Sequence, residues 1–90
     1  METPKCRVVH CKKEPYDVYI GRPSKWGNPF IIGRDGTRNQ VVAKFRDYIL
    51  QNRDLLLDVC NLRGLRLGCW CKPSSCHGDV LKELADACTD

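Results

Sequence analysis

Leu65, Leu67, Cys69 and Cys71 alternate along one stretch of chain. Beyond Pro73 the spacing changes, and Val80, Leu81, Leu84 and Cys88 fall on one helical stripe. A period of two that gives way to a period near 3.6 predicts a strand feeding a helix. Two helical patterns precede that strand. In residues 40–51, Val41, Val42, Phe45, Tyr48 and Ile49 share a face, and in residues 53–62 Leu55, Leu56, Val59 and Leu62 do the same. Thr37 or Asn39 is placed to cap the first, Asp54 suits the dipole of the second, and Gly64 ends it. Ser75 or Asp79 is placed to cap the last helix. Upstream, residues 7–10 and 17–20 have strand composition, and Ile31 with Ile32 is a shorter candidate. A strand reached through helices joins its sheet by a crossover, which favours parallel pairing. The expected fold is a small, single-domain, Rossmann-like α/β sheet over residues 1–90, with about three strands and three helices. The last strand lies beside the first or second, and the strand order stays open.

Composition narrows the function classes. No run approaches the ~18 apolar residues of a membrane span. Residues 1–5 lack the apolar core of a signal peptide, so the expected setting is cytoplasmic, away from membranes. There, the seven cysteines are expected to be buried hydrophobes, metal ligands or reactive thiols rather than disulfides. Cys6, Cys60 and Cys88 read as core. The net charge of +4 is uneven: residues 1–45 carry nine Lys/Arg against four Asp/Glu, residues 46–90 six against seven. That suits an anionic partner, a nucleotide or a nucleic acid, although a solvated basic surface accounts for it equally well.

Two loops concentrate the polar chemistry, each following a strand, where open α/β sheets bind ligands. The first is residues 21–30. Gly21 and Gly27 permit close backbone approach, and Arg22 and Lys25 supply cationic donors. Two Gly and two Pro make the stretch an irregular loop, Pro23 is counted with the ligand-binding candidates, and Ser24 and Asn28 offer neutral hydrogen bonds. Trp26 and Phe30 either stack on a base or fold into the core. Neither GxGxxG nor GxxxxGK[ST] is present.

The second loop is residues 68–79, which opens the last helix. The amides of Ser75, Cys76, His77 and Gly78 are candidates to hold a phosphate at the helix start. His77 and Asp79 are the candidate acid–base pair; Asp79 alternatively caps the helix or contacts a ribose. Cys69, Cys71, Cys76 and His77 are also four potential zinc ligands in nine residues, without the usual CxxC knuckle. The competing readings are that Cys69 and Cys71 are core, or that Cys76 is a reactive thiol at a helix start.

Arg22-Pro23-Ser24 with Gly27-Asn28-Pro29-Phe30, followed by Cys76-His77-Gly78-Asp79, resembles the signature of a family named domain of unknown function 4326, found in bacteria, phages and other viruses. Cys69-Trp70-Cys71, Val80-Leu81, Val8-Val9-His10 and residues 16–21 fit the same resemblance, which covers nearly the whole chain. It implies a compact Rossmann-type domain, similar to families that bind nucleotides or cleave their glycosidic bonds, and it supplies no role for any motif residue. The expectation is therefore a nucleotide-binding domain, an enzyme only if His77 and Asp79 act on a glycosidic or phosphoester bond. The alternative is a zinc-stabilised module that binds nucleic acid or protein. A domain this small can complete a shallow site by pairing with a second copy.

Overall fold

The computed structural model describes residues 5–22, 24–70 and 76–88. Strands β1 (Arg7–His10) and β2 (Val18–Tyr19) come first, then helices α1 (Arg38–Gln51) and α2 (Arg53–Asp58). A 3-10 turn, Val59–Leu62, leads into β3 (Arg66–Cys69), and α3 (His77–Ala87) closes the order. The α/β class, the three strands and the parallel crossover are as the periodicities predict. The sheet order is β1-β3-β2. β3 pairs in parallel with both neighbours, Val8 and Val18 each opposite Leu67, so it lies beside the first strand and the second.

The central strand is buried where the outer two are half covered. Leu67, Gly68 and Cys69 are buried, and Phe45, Ile49, Val80, Leu81 and Ala85 pack around them with Ile20. Phe45 is fully buried, and truncating a buried phenylalanine typically costs 3–5 kcal/mol, so Phe45→Ala is expected to lower the unfolding free energy by about 4 kcal/mol in a denaturant titration. An unchanged midpoint would show that α1 does not seal this core.

Local chemistry sets the helix ends. Thr37, not Asn39, caps α1, in a reciprocal box with Gln40. Asn52 ends α1 and caps α2 through its side chain, accepting from the Leu55 amide. The helix expected over residues 53–62 is thus split, α-helical to Asp58 and 3-10 beyond. Ile32 forms a lone bridge to Gly36 rather than a strand. Asp35 closes that turn by accepting from the Ile31 amide and pairing with Arg34.

The cysteines divide differently from expectation. Cys6 is core, and burial, reinforced by nearby Asp86, pushes its thiol up to about 11. Cys60 and Cys88 are not core thiols: they form a disulfide joining the 3-10 turn to the residue after α3. Their exposed and half-buried positions leave the sulfurs outside the apolar centre, free to pair with each other.

Ion pairs tie the periphery. Arg66 donates to Asp17 from its amide and its guanidinium, which holds the Asp17 carboxyl below the usual range. The Arg34 guanidinium, with the Ile31 amide, likewise lowers the Asp35 carboxyl, and the Arg46 guanidinium lowers that of Glu83. At Asp86 burial opposes ionisation, but the Lys82 ammonium and the Cys6 amide outweigh it, and the carboxyl is lowered. Folded pKa values below the unfolded ones give stability that is full above the ordinary carboxylate range, near pH 4, and lost as pH falls through the folded values. Denaturation midpoints should therefore hold from pH 7 to about pH 5 and drop below about pH 4. Equal midpoints at pH 6 and pH 3 would contradict these pairings. Among the described residues, no helix is long and apolar enough to cross a membrane.

Candidate functional site

Because all three strands run parallel, the carboxyl ends of β2 and β3 share one edge, and both polar loops leave from it. A cavity of about 270 Å³ lies there. Gly21, Arg22, Asn28 and Phe30 line it from the first loop, and Cys69, Trp70, Cys76 and His77 from the second. Arg38, Val41 and Val42, from the first turns of α1, form the third wall.

The first loop divides between the cavity and the core. Arg22 is exposed at the cavity and has no side-chain partner among the described residues. Lys25 turns away, pairing with Asp58 while its ammonium sits 5.1 Å from the Trp26 ring centre. Trp26 is 5% exposed and belongs to the core, so it is no stacking platform. A Cβ on Gly27 would lie 2.8 Å from Arg22 Cγ, so this glycine serves the loop's own packing and not a ligand's approach. Ser24 does not line the cavity, and its hydroxyl is buried without a hydrogen-bond partner among the described residues. Asn28 spends its carboxamide on the fold: Nδ2 donates to the Val41 carbonyl at 3.1 Å, and Oδ1 accepts from the Phe30 amide at 2.9 Å. It bolts the loop to α1 and so fixes two walls of the cavity. Pro23 lies outside the described residues.

The second loop changes the expected roles more. Cys76 is the N-cap residue of α3, with Asp79 helping to cap it as expected; the Cys76 sulfur accepts from the Gly78 amide at 3.2 Å. Asp79 completes that box by accepting from the Cys76 amide at 3.1 Å. Gly78 is buried, and a Cβ there would come within 2.7 Å of Ile20 Cδ1 and 2.9 Å of Val8 Cγ1. Its amide is therefore occupied and covered rather than open to a phosphate. Ser75 and Cys71 lie outside the described residues.

His77 lines the cavity at 8% exposure. Its Nε2 lies 2.7 Å from the Ile20 carbonyl oxygen, which can only accept, so Nε2 carries a proton, and Nδ1 is the nitrogen with a lone pair in the neutral ring. The ring meets Phe45 edge-on, with centroids 5.0 Å apart. The expected acid–base pair is not assembled: His77 bonds to Ile20, Asp79 to the cap, and Asp79 does not line the cavity. Cys69 Sγ and Cys76 Sγ lie 3.0 Å apart, and a His77 ring nitrogen is within 4.8 Å of both. Three of the four expected zinc ligands thus come together.

Of the cavity residues that were not assigned to the site from sequence, Trp70 and Arg38 are the two with polar groups. Trp70 is 54% exposed; its Nε1 donates to Tyr19 Oη at 2.6 Å, His10 meets it edge-on, and the Lys12 ammonium is 5.4 Å from its ring centre. The alternation that turns Leu67 and Cys69 inward also turns Trp70 outward, and that was the available signal. Arg38 stands out only as a residue off the apolar stripe of α1.

Fold and cavity define a small parallel α/β domain with a cationic, partly aromatic pocket at its strand carboxyl ends. A family model matches residues 5–87, and the chain belongs to that family, the domain of unknown function DUF4326. It is 38% identical over 86 residues to an uncharacterized 12.4 kDa protein in the nrdA-td intergenic region of Enterobacteria phage T4, covering 90% of this chain and 78% of that one. It is also 38% identical over 86 residues to uncharacterized protein R718 of Acanthamoeba polyphaga mimivirus, covering 76% of this chain and 65% of that relative. No solved structure matches.

Proposed function

We propose that the cavity binds a phosphorylated nucleotide or a small nucleotide-derived ligand. The observation that carries this reading is the convergence of Arg22, Arg38 and the exposed Trp70 on one pocket at the carboxyl edge of a parallel sheet. A guanidinium fork matches phosphate geometry, and an indole face accepts any base. The volume, about 270 Å³, falls just below the usual range of small-ligand pockets and suits a mononucleotide better than a dinucleotide. Binding without turnover is the better-supported form, since Asp79 is committed to the α3 cap and does not orient His77.

A thermal-shift series with 5′-mononucleotides, cyclic nucleotides, ADP-ribose, the matching nucleosides and inorganic phosphate tests this. At a ligand concentration one hundred times Kd, binding adds about 2.7 kcal/mol of stability. The expected result is a melting point raised by several degrees with at least one phosphorylated ligand and unmoved by its nucleoside. No shift with any phosphorylated ligand would remove the proposal. Trp70→Ala should weaken the best mononucleotide by about tenfold, because stacking is worth about 1–3 kcal/mol per base. Unchanged affinity would exclude the indole as the base platform.

A further inference from the structure

We propose that Cys69, Cys76 and His77 hold one thiophilic divalent cation, zinc by ligand chemistry, on the wall of the cavity. Cys69 ends β3, Cys76 caps α3 and His77 begins it, so the strand–loop–helix unit itself delivers the three ligands. All three are buried, and their ligand atoms lie within 4.8 Å of one another. Two thiolates and an imidazole are a zinc set, and two thiolates neutralise the ion's charge in an interior where an uncompensated one is costly. Sulfurs bound tetrahedrally to one zinc at about 2.3 Å stand roughly 3.8 Å apart. The observed 3.0 Å therefore requires only a slight parting of the two side chains.

The surroundings are those of a ligand shell. The Ile20 carbonyl takes the proton on His77 Nε2, which fixes the tautomer that offers Nδ1 to a metal. The Gly78 amide donates to Cys76 Sγ, stabilising negative charge on that sulfur. Core packing alone would account for two apolar thiols, but not for a tautomer-fixed imidazole beside them on a cavity wall. Tetrahedral zinc takes a fourth ligand beyond these three. All three residues line the cavity that Arg22 and Arg38 also line. The metal site stands on its own cluster and does not depend on the nucleotide reading.

The test uses the full chain with the Cys60–Cys88 disulfide closed and the other thiols reduced, loaded with one equivalent of zinc or cobalt and desalted. Expected are about one zinc per chain by elemental analysis, thiolate-to-cobalt charge-transfer absorption with tetrahedral visible bands, and zinc protection of Cys69 and Cys76 from alkylation in peptide mapping. Cys69→Ser, Cys76→Ser and His77→Ala should each weaken zinc at least tenfold. Because a variant can fail to fold, protection is read in the unmodified chain as well. Metal-free protein after loading, equal alkylation with and without zinc, or a Cys69–Cys76 disulfide surviving reductant would overturn the site. Metal-free protein that still takes a mononucleotide would leave the proposed function standing, and the reverse result would leave the metal site.

Discussion

Opening the Cys60–Cys88 disulfide should lower the unfolding free energy by about 3.5 kcal/mol. The bridge spans 28 residues, and closing a loop of that length in the unfolded chain removes roughly that much in the chain-entropy account. For a domain of this size the melting temperature should fall by on the order of 15–25 °C. The position favours a large effect: the bridge joins the 3-10 turn to the end of α3, two elements that pack on each other around Val59, Leu62 and Leu81. Calorimetric melts with and without reductant measure this, with bridge closure confirmed by mass. The Cys60→Ser/Cys88→Ser double variant should match the reduced protein and ignore the reductant. Superimposable melts of closed and opened wild type would show that the core alone carries the fold.

Arg22→Ala should weaken binding of a 5′-mononucleotide by about 10–100-fold, because a hydrogen bond to a charged group is worth about 1.5–3 kcal/mol. Stability should change by no more than about 0.5 kcal/mol, as for an exposed side chain away from special features. That pairing of outcomes separates a ligand contact from a scaffold residue. Asn28→Ala provides the contrast: it frees the Val41 carbonyl and the Phe30 amide, so both stability and affinity should fall. Equal affinities for wild type and Arg22→Ala would remove the guanidinium from the site.

What was legible in the sequence follows from periodicity. The stripes of α1 and α3, the inward faces of Leu67 and Cys69, and the parallel crossover all follow from repeats that sterics force on helices and strands. The central place of β3 was not legible, since two-residue β2 and four-residue β1 carry too little pattern to rank as neighbours. The loops were legible in composition but not in direction. Trp26 and Trp70 are alike in type, yet the irregular backbone of residues 21–30 folds one into the core while the end of a strand turns the other out. The capping reading of Asp79 holds, while the Gly78 amide went elsewhere for a related reason. A helix start offers its amides to whichever acceptor is nearest, and the Cys76 sulfur is inside the loop already. The Cys60–Cys88 pairing was hidden because composition argued for free thiols, and only the tertiary fold sets those two positions 5.6 Å apart between Cα atoms.

The most direct measurement is an amide and indole NMR titration of the full chain with AMP, GMP, CMP and UMP. The expected result is a saturable set of shifts from at least one of the four, concentrated at Gly21, Arg22, Arg38, His77 and the Trp70 indole N–H, with α2 unmoved. Shifts centred on α2 or elsewhere away from the cavity, or no saturable change with any of the four, would contradict a nucleotide site at the carboxyl edge of this sheet.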